Sequence, residues 1–149
     1  MGEMKRKAQI TFDFLIAIML VTVTVAGIVS IASGETANAR TFDSAAKLKI
    51  LAVDLRDTVT QVYAAGDGFT VRKELPFELK AGDSVTITLN STTNRVEIAA
   101  TLGGKTFKVA QRLQVPLYAT SSITLGQGER DFNVTAQNVG GEIHVLLQG

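Results

Sequence analysis

The chain has 149 residues, of which 46% are apolar and 19% charged, so it can form a packed core and is not globally disordered. Its formal charge of +1 gives no indication of nucleic-acid binding. There is no cysteine and one histidine, His144, which excludes disulfides, thiolate chemistry and His-rich metal sites. No residues form a recognisable nucleophile and base, so we expect neither an enzyme nor a bound cofactor or metal.

The N-terminus combines a short basic stretch, with Lys5, Arg6 and Lys7, and an uncharged apolar segment, residues 14–32. A helix of about 20 such residues spans the hydrocarbon core of a bilayer. The alternative, a buried core helix, would show a polar face in so small a domain. Hydroxyl groups within the segment can bond back to the preceding helical turn; they belong to Thr22, Thr24 and Ser30.

The position of the three basic residues predicts the orientation of this helix. Basic residues beside a membrane helix stay on the cytoplasmic side, so the chain from about Ser33 onward should lie outside. Two N-glycosylation sequons, at Asn90 and Asn133, are compatible with that side. We therefore predict a single-pass membrane precursor with a cytoplasmic N-terminus.

A carboxylate, Asp13, lies at the start of the apolar segment, where a charge is costly and usually has a function. The sequence around it, Lys5-Arg6-Lys7-Ala8 followed by Gln9-Ile10-Thr11-Phe12-Asp13, resembles the class III signal peptide of archaeal type IV pilin-like proteins. That family has a basic leader, a cut before a glutamine, a hydroxyl residue two places on and an acid two places later. It usually has Ser where this chain has Thr11, and Glu where it has Asp13; both differences keep the chemistry.

The resemblance implies that a prepilin peptidase cuts between Ala8 and Gln9 and leaves the apolar segment in place. It also implies a filament of bundled N-terminal helices, with other copies of the chain and the pilus assembly machinery as partners. The new amino group of Gln9 is largely cationic at neutral pH, so Asp13 of a neighbouring subunit could pair with it and set the axial register. Alternatively, Asp13 only stabilises the start of the helix, where negative charge is favoured.

A competing cleavage site is present at Ala37-Asn38-Ala39, a small-x-small pattern that ordinary signal peptidase prefers. Cleavage there would release a soluble domain that starts at Arg40. However, the apolar segment is longer than the usual 7–15 residues of a signal peptide, and the site lies several residues beyond it.

Residues 35–65 have helical periodicity. Apolar residues recur at three- and four-residue spacing, which predicts an amphipathic helix that packs its apolar stripe on the rest of the chain; they are Leu48, Leu51, Ala52, Leu55, Val59 and Val62. We expect one long helix, with a bend at Ser33-Gly34. Gly66 or Gly68 suits the left-handed position that ends a helix.

The rest of the chain alternates apolar and polar residues between turn signals. We predict strands over residues 69–71, 85–89, 96–102, 107–109, 113–117, 123–125, 132–136 and 143–147, with a loop at 90–94 and turns at 103–104 and 138–141. The fold class is therefore α+β, with an antiparallel sandwich or curled sheet as the head. The predicted divisions are a leader (1–8), a membrane and filament-core helix (9–34), an amphipathic helix (35–66) and a β-rich head (67–149).

Acidic residues in or beside the predicted turns are candidate calcium ligands, but none lies in a regularly spaced acidic loop; they are Asp67, Asp83, Glu129 and Asp131. His144 alternates with apolar residues of the last strand, so we expect it to face solvent. The Gly-rich turns lack the lysine and the following helix of a phosphate-binding loop.

The leading hypothesis is a structural subunit of an extracellular type IV pilus-like filament, with surface adhesion as its use. A second hypothesis is a membrane-anchored β-domain that does not polymerise and binds a ligand or envelope polymer. A third is a secreted soluble domain released at Ala39.

Overall fold

The structure, a computed structural model, describes residues Gly2–Gly149, with side chains described from Phe12 onward apart from that of Ala37. The chain forms two compact units, Met1–Phe42 and Asp43–Gly149, here called the N-terminal unit and the head unit. A single helix, α1 (Gly2–Ala65), supplies the N-terminal unit and continues into the head unit. The predicted α+β fold is confirmed, although the compact head begins at Asp43, within the helix that was expected to form a separate division.

The helix α1 ends where the glycines predict. Gly66 has a φ of +86°, a left-handed conformation that costs glycine little, and its amide donates to the carbonyl of Val62 over 3.2 Å. Helical structure is continuous through Ser33-Gly34, where the Ser33 hydroxyl donates to the carbonyl of Val29 over 2.9 Å. The secondary structure therefore has no interruption at the position where a bend was expected.

Seven antiparallel strands follow: β1 (Thr70–Glu74), β2 (Ser84–Asn90), β3 (Arg95–Leu102), β4 (Lys105–Arg112), β5 (Ser121–Leu125), β6 (Asp131–Val139) and β7 (Glu142–Gln148). They form a three-stranded sheet, in the order β1-β6-β7, and a four-stranded sheet, in the order β4-β3-β2-β5. Ser121 at the start of β5 joins the edges of the two sheets, because its hydroxyl accepts the Leu147 amide of β7 over 2.9 Å.

Two hairpins turn on glycine pairs. Leu102 pairs with Lys105 across Gly103-Gly104, and Val139 pairs with Glu142 across Gly140-Gly141. Both residues of each pair have positive φ, which a two-residue hairpin turn of the mirror-image type requires and glycine adopts without strain. The turn signal at 103–104 therefore fixes the β3–β4 register.

The head unit has one hydrophobic core, to which the helix and both sheets contribute. The six residues of the predicted helix stripe are all buried, at most 4% exposed. They share the core with the inward residues of the four-stranded sheet, such as Ile87 and Ile98, and with Phe132 and Val134 of the three-stranded sheet. The ion pair between Lys73 of β1 and Asp54 of α1, 2.6 Å, links helix and sheet at the edge of this core.

The predicted strand at 113–117 is wrong. These residues have no regular structure, although Leu113 and Leu117 are buried as the alternation required. The side chain of Asn94 supplies the hydrogen bonds that a neighbouring strand would otherwise make. Its amide nitrogen donates to the carbonyls of Leu113 (3.3 Å) and Val115 (3.1 Å), and its amide oxygen accepts the Leu117 N–H over 3.1 Å. An irregular segment can thus bury alternate residues as a strand does, provided that its backbone groups form hydrogen bonds with a side chain.

Candidate functional site

Residues 14–32 of the N-terminal unit present an uncharged, predominantly apolar surface. Every large apolar side chain of the apolar segment is between 44% and 69% exposed; these residues are Phe14, Leu15, Ile16, Ile18, Met19, Leu20, Val21, Val23, Val25, Ile28, Val29 and Ile31. Soluble monomers rarely expose contiguous apolar patches above a few hundred Å². This surface therefore requires a covering that is apolar itself.

The helix that carries the segment is long enough and apolar enough to cross a membrane, near the N-terminus. Nineteen residues at about 1.5 Å per residue extend over about 28 Å, close to the thickness of the bilayer hydrocarbon. The hydroxyls of Thr22 and Thr24 donate to the carbonyls of Ile18 and Leu20, each over 2.8 Å, as the sequence predicted. These bonds satisfy the hydroxyl hydrogens without water, so the two threonines are compatible with an apolar environment.

Asp13 is exposed in α1 and is the sole ionisable residue between positions 9 and 34. A carboxylate at this position has no cation to pair with inside the apolar segment of its own helix. The residues of the predicted leader and cleavage motif lie outside those whose side chains are described; they are Lys5, Arg6, Lys7, Ala8, Gln9 and Thr11. Their roles in processing and assembly stay predictions.

The competing cleavage pattern at Ala37-Asn38-Ala39 lies within α1, and the side chain of Ala37 lies outside the described residues. Glu35 and Thr36 precede it on the same helix, and the Thr36 hydroxyl donates to the carbonyl of Ala32 over 2.9 Å. The helix therefore continues from the apolar segment through this pattern into the head unit.

The acidic residues of the turns brace the backbone of the head unit. Asp83 accepts the amides of Gly103 (2.8 Å) and Lys80 (3.1 Å), and these bonds, that from Gly103 foremost, lower the pKa of Asp83. Asp67 accepts the Asn138 amide over 2.7 Å and Glu129 accepts that of Gly126 over 2.7 Å, while Asp131 pairs with Arg72. Among the residues that the structure describes, no three acidic or histidine side chains converge on a common point.

His144 is half-buried rather than solvent-facing. Its ring stacks on that of Tyr118, with centroids 5.9 Å apart and planes at 29°. A side-chain hydrogen bond with Tyr63 of α1 raises the pKa of Tyr118. The sequence could not show this cluster, because Tyr118 follows the irregular segment 113–117, and Tyr63 and His144 lie far from it along the chain.

The two sequons lie in different backbone environments. Asn90 ends β2, its amide oxygen accepts the amides of Thr92 (3.0 Å) and Thr93 (3.1 Å), and its nitrogen donates to Glu97 over 3.2 Å. Asn133 lies in the middle of β6, the central strand of its sheet. Both asparagines are half-buried, and modification at either one stays a prediction.

No family model matches the chain, and no curated protein or solved structure shows significant similarity to it.

Proposed function

We propose that this chain is the structural subunit of an extracellular type IV pilus-like filament that serves surface adhesion. The observation that carries the proposal is the exposed apolar surface of residues 14–32, on the same helix whose later part is buried in the core of the head unit. The head unit has a core of its own, formed by the helix stripe and both sheets. The covering must come from a bilayer before assembly and from other copies of the same helix afterwards.

The resemblance at the N-terminus supports a change between these two environments. Cleavage between Ala8 and Gln9 by a prepilin peptidase would remove the three basic residues that hold the N-terminus in the cytoplasm. The precursor is then a membrane protein with an external head, and the mature chain is free to be extracted by the pilus assembly machinery. The source that the motif suggests is archaeal.

The position of Asp13 supports helix bundling in register. Cleavage gives the chain a new amino group at Gln9, which is largely cationic at neutral pH. Where such helices bundle, this cation and this carboxylate both leave water, and each needs a partner of opposite charge. Breaking a buried pair by removing one member costs about 3–5 kcal/mol, or about a hundredfold or more in an association constant. Helix packing that places the Gln9 amino group of one subunit next to Asp13 of another is therefore favoured over packing that is shifted along the filament axis.

Substitution of Asp13 tests this role. We expect Asp13→Asn to leave cleavage intact, as seen in the mass of the membrane-bound chain, and to reduce the yield of sheared filaments about a hundredfold. Glu35→Gln is the matched control, since it removes one carboxylate from the same helix outside the apolar segment, and it should leave the yield unchanged. An unchanged yield of Asp13→Asn filaments would refute the charge-pairing role.

The second candidate is a membrane-anchored head that does not polymerise. The observation that favours it is the complete core of the head unit, residues 43–149, which needs no neighbouring copy. Electron microscopy of material sheared from cells separates the two: filaments that disappear on deletion of the gene support the subunit, whereas a processed chain that stays monomeric in membranes supports the anchor.

A further inference from the structure

Charge is unevenly distributed over the head unit. Residues 43–149 contain eleven Lys and Arg and eleven Asp and Glu, a net charge of zero. Four of those cations and one of those anions belong to the β3–β4 hairpin, residues 95–112, which is therefore at +3 while the remainder is at −3. The hairpin is thus a local basic surface on a neutral unit.

Two arginines lie directly opposite each other on this hairpin. Arg95 of β3 and Arg112 of β4 are cross-strand partners, both exposed on the face of the sheet that is turned away from the core. Among the residues with described side chains, neither guanidinium has a hydrogen bond or an ion pair. Like charges in directly opposed positions destabilise a sheet, so the pair is unfavourable until an anion binds to it.

The nearest acid does not neutralise the arginines. Glu97 lies two residues along β3 on the same face, but its carboxylate accepts hydrogen bonds from the Asn90 amide (3.2 Å) and the Thr93 hydroxyl (3.1 Å). Neither of these bonds involves a guanidinium, and the carboxylate forms no ion pair with Arg95 or Arg112. The two guanidinium groups remain available, and each can bind a carboxylate or sulfate through two parallel N–H donors.

Basic residues on an edge strand can also serve to prevent pairing with other chains. That explanation suits Lys108 and Arg112, since β4 is an edge of its sheet. It does not explain Arg95, because β3 lies between β4 and β2 and its backbone is already paired on both sides. An arginine placed opposite another arginine in an interior strand requires a different reason.

A groove of about 350 Å³ lies on the same face and begins at Glu97 and Ala110, the next outward pair after Arg95 and Arg112. The small side chains of Ala99 and Ala110 leave it open, and its polar lining residues are Thr86, Thr88, Glu97 and Lys108. The hydroxyls of Thr86 and Thr88 share hydrogen bonds with Thr124 (3.0 Å) and Ser122 (2.9 Å) and keep lone pairs free to accept. These groups can exchange hydrogen bonds with sugar hydroxyls. No outward position of strands β2–β5 carries an aromatic ring on which a nucleobase could stack.

From this arrangement we infer that the outer face of the β3–β4 hairpin binds an acidic polysaccharide, with Arg95 and Arg112 on its anionic groups and the adjoining groove on its hydroxyls. An acidic polysaccharide would be the substance to which the proposed filament adheres. Only this link to adhesion rests on the proposed function. Binding itself depends on the head unit and not on polymerisation.

The test uses the full chain, dispersed in a non-ionic detergent, and immobilised dextran sulfate as the acidic polysaccharide. We expect Arg95→Gln/Arg112→Gln to weaken binding at least tenfold. The matched control, Lys49→Gln/Lys80→Gln, removes the same charge from two exposed positions outside the hairpin and should change binding less than twofold. Unmodified dextran should not bind, and the arginine variant should unfold no earlier than the parent chain because like-charge repulsion has been removed.

Three results would overturn the inference: no binding of the parent chain, equal losses in the arginine variant and its control, or equally tight binding of a single-stranded oligonucleotide. The last result would indicate a nucleic-acid surface or an unspecific attraction of polyanions. Asp13→Asn should bind dextran sulfate like the parent chain, so a failure of the polysaccharide site and a failure of filament assembly are separate outcomes.

Discussion

Asn94 should be among the most sensitive polar residues of the head unit. It has a φ of +52° and its side chain makes three hydrogen bonds to residues 113–117, so no other side chain can replace it locally. Each such bond contributes about 1 kcal/mol net, and a residue with a Cβ in the left-handed region costs about 1 kcal/mol or more when no local hydrogen bond offsets it. We expect Asn94→Ala to lower the free energy of unfolding by about 4 kcal/mol.

Asn94→Gly separates the two contributions, because glycine adopts the positive φ freely but makes no side-chain bond. It should cost about 3 kcal/mol. Asn138→Ala is the matched control, since its side chain accepts one bond, from the Gly141 amide over 3.0 Å, and it should cost about 1 kcal/mol. Urea unfolding in non-ionic detergent, followed by tyrosine fluorescence, measures these values, as both tyrosines, Tyr63 and Tyr118, belong to the head unit.

Equal losses of stability in Asn94→Ala and Asn138→Ala would contradict a stabilising role of the three Asn94 bonds. An Asn94→Gly chain as stable as the parent would do so too, because the loss in Asn94→Ala would then come from backbone strain alone.

Two further variants test the core and the turns of the head unit. Leu55→Ala, at a fully buried position of α1, should cost about 2–5 kcal/mol in urea unfolding, whereas Ile50→Ala, 67% exposed on the same helix, should stay within about 0.5 kcal/mol; equal losses would contradict the assigned helix face. The lowered pKa of Asp83 means that its stabilising effect is complete above the usual pKa of an aspartate, about 3.9, and is lost as the pH falls through the lower value in the folded chain. Asp83→Asn should therefore melt earlier than the parent chain at pH 7, and the difference should shrink below about pH 3.9 and vanish below the lower pKa of the folded chain. A difference independent of pH would contradict the bonds from Gly103 and Lys80.

Local patterns in the sequence predicted much of this fold. The three- and four-residue spacing from Leu48 to Val62 identified the buried face of α1, because residues on one side of a helix recur every three or four positions in the sequence. Strict alternation at Val85, Ile87 and Leu89 likewise identified the buried face of β2. Both patterns depend only on neighbours along the chain.

Features that depend on distant residues were not predicted. The pairing of β1 with β6, about sixty residues later, leaves no trace in the local alternation. The segment 113–117 alternates like a strand, yet Asn94, about twenty residues earlier, supplies its hydrogen bonds. The pairing of Arg95 with Arg112 follows from the register that the Gly103-Gly104 turn sets. The turn was predicted from the sequence, but the positions of the charged residues across the hairpin were not.

The candidate assembly site, the apolar segment with Asp13, was predicted from the sequence only in those features that belong to a single chain. Exposure of the apolar segment follows from its composition, and the structure confirms it. A partner for Asp13 would come from another copy, so neither the sequence nor a single chain contains the contact. Cleavage between Ala8 and Gln9 likewise stays a prediction, because the side chains on both sides of that bond lie outside those that the structure describes.

N-terminal sequencing of the subunit from filaments sheared off the cell surface tests the central proposal most directly. We expect a single sequence that starts at Gln9, which would show both that cleavage follows Ala8 and that the chain is part of a surface polymer. A start at Arg40 would indicate a secreted soluble domain, and a start at Met1 or Gly2 an uncleaved anchor. Either result, or the absence of this chain from surface filaments, would contradict the proposed filament subunit.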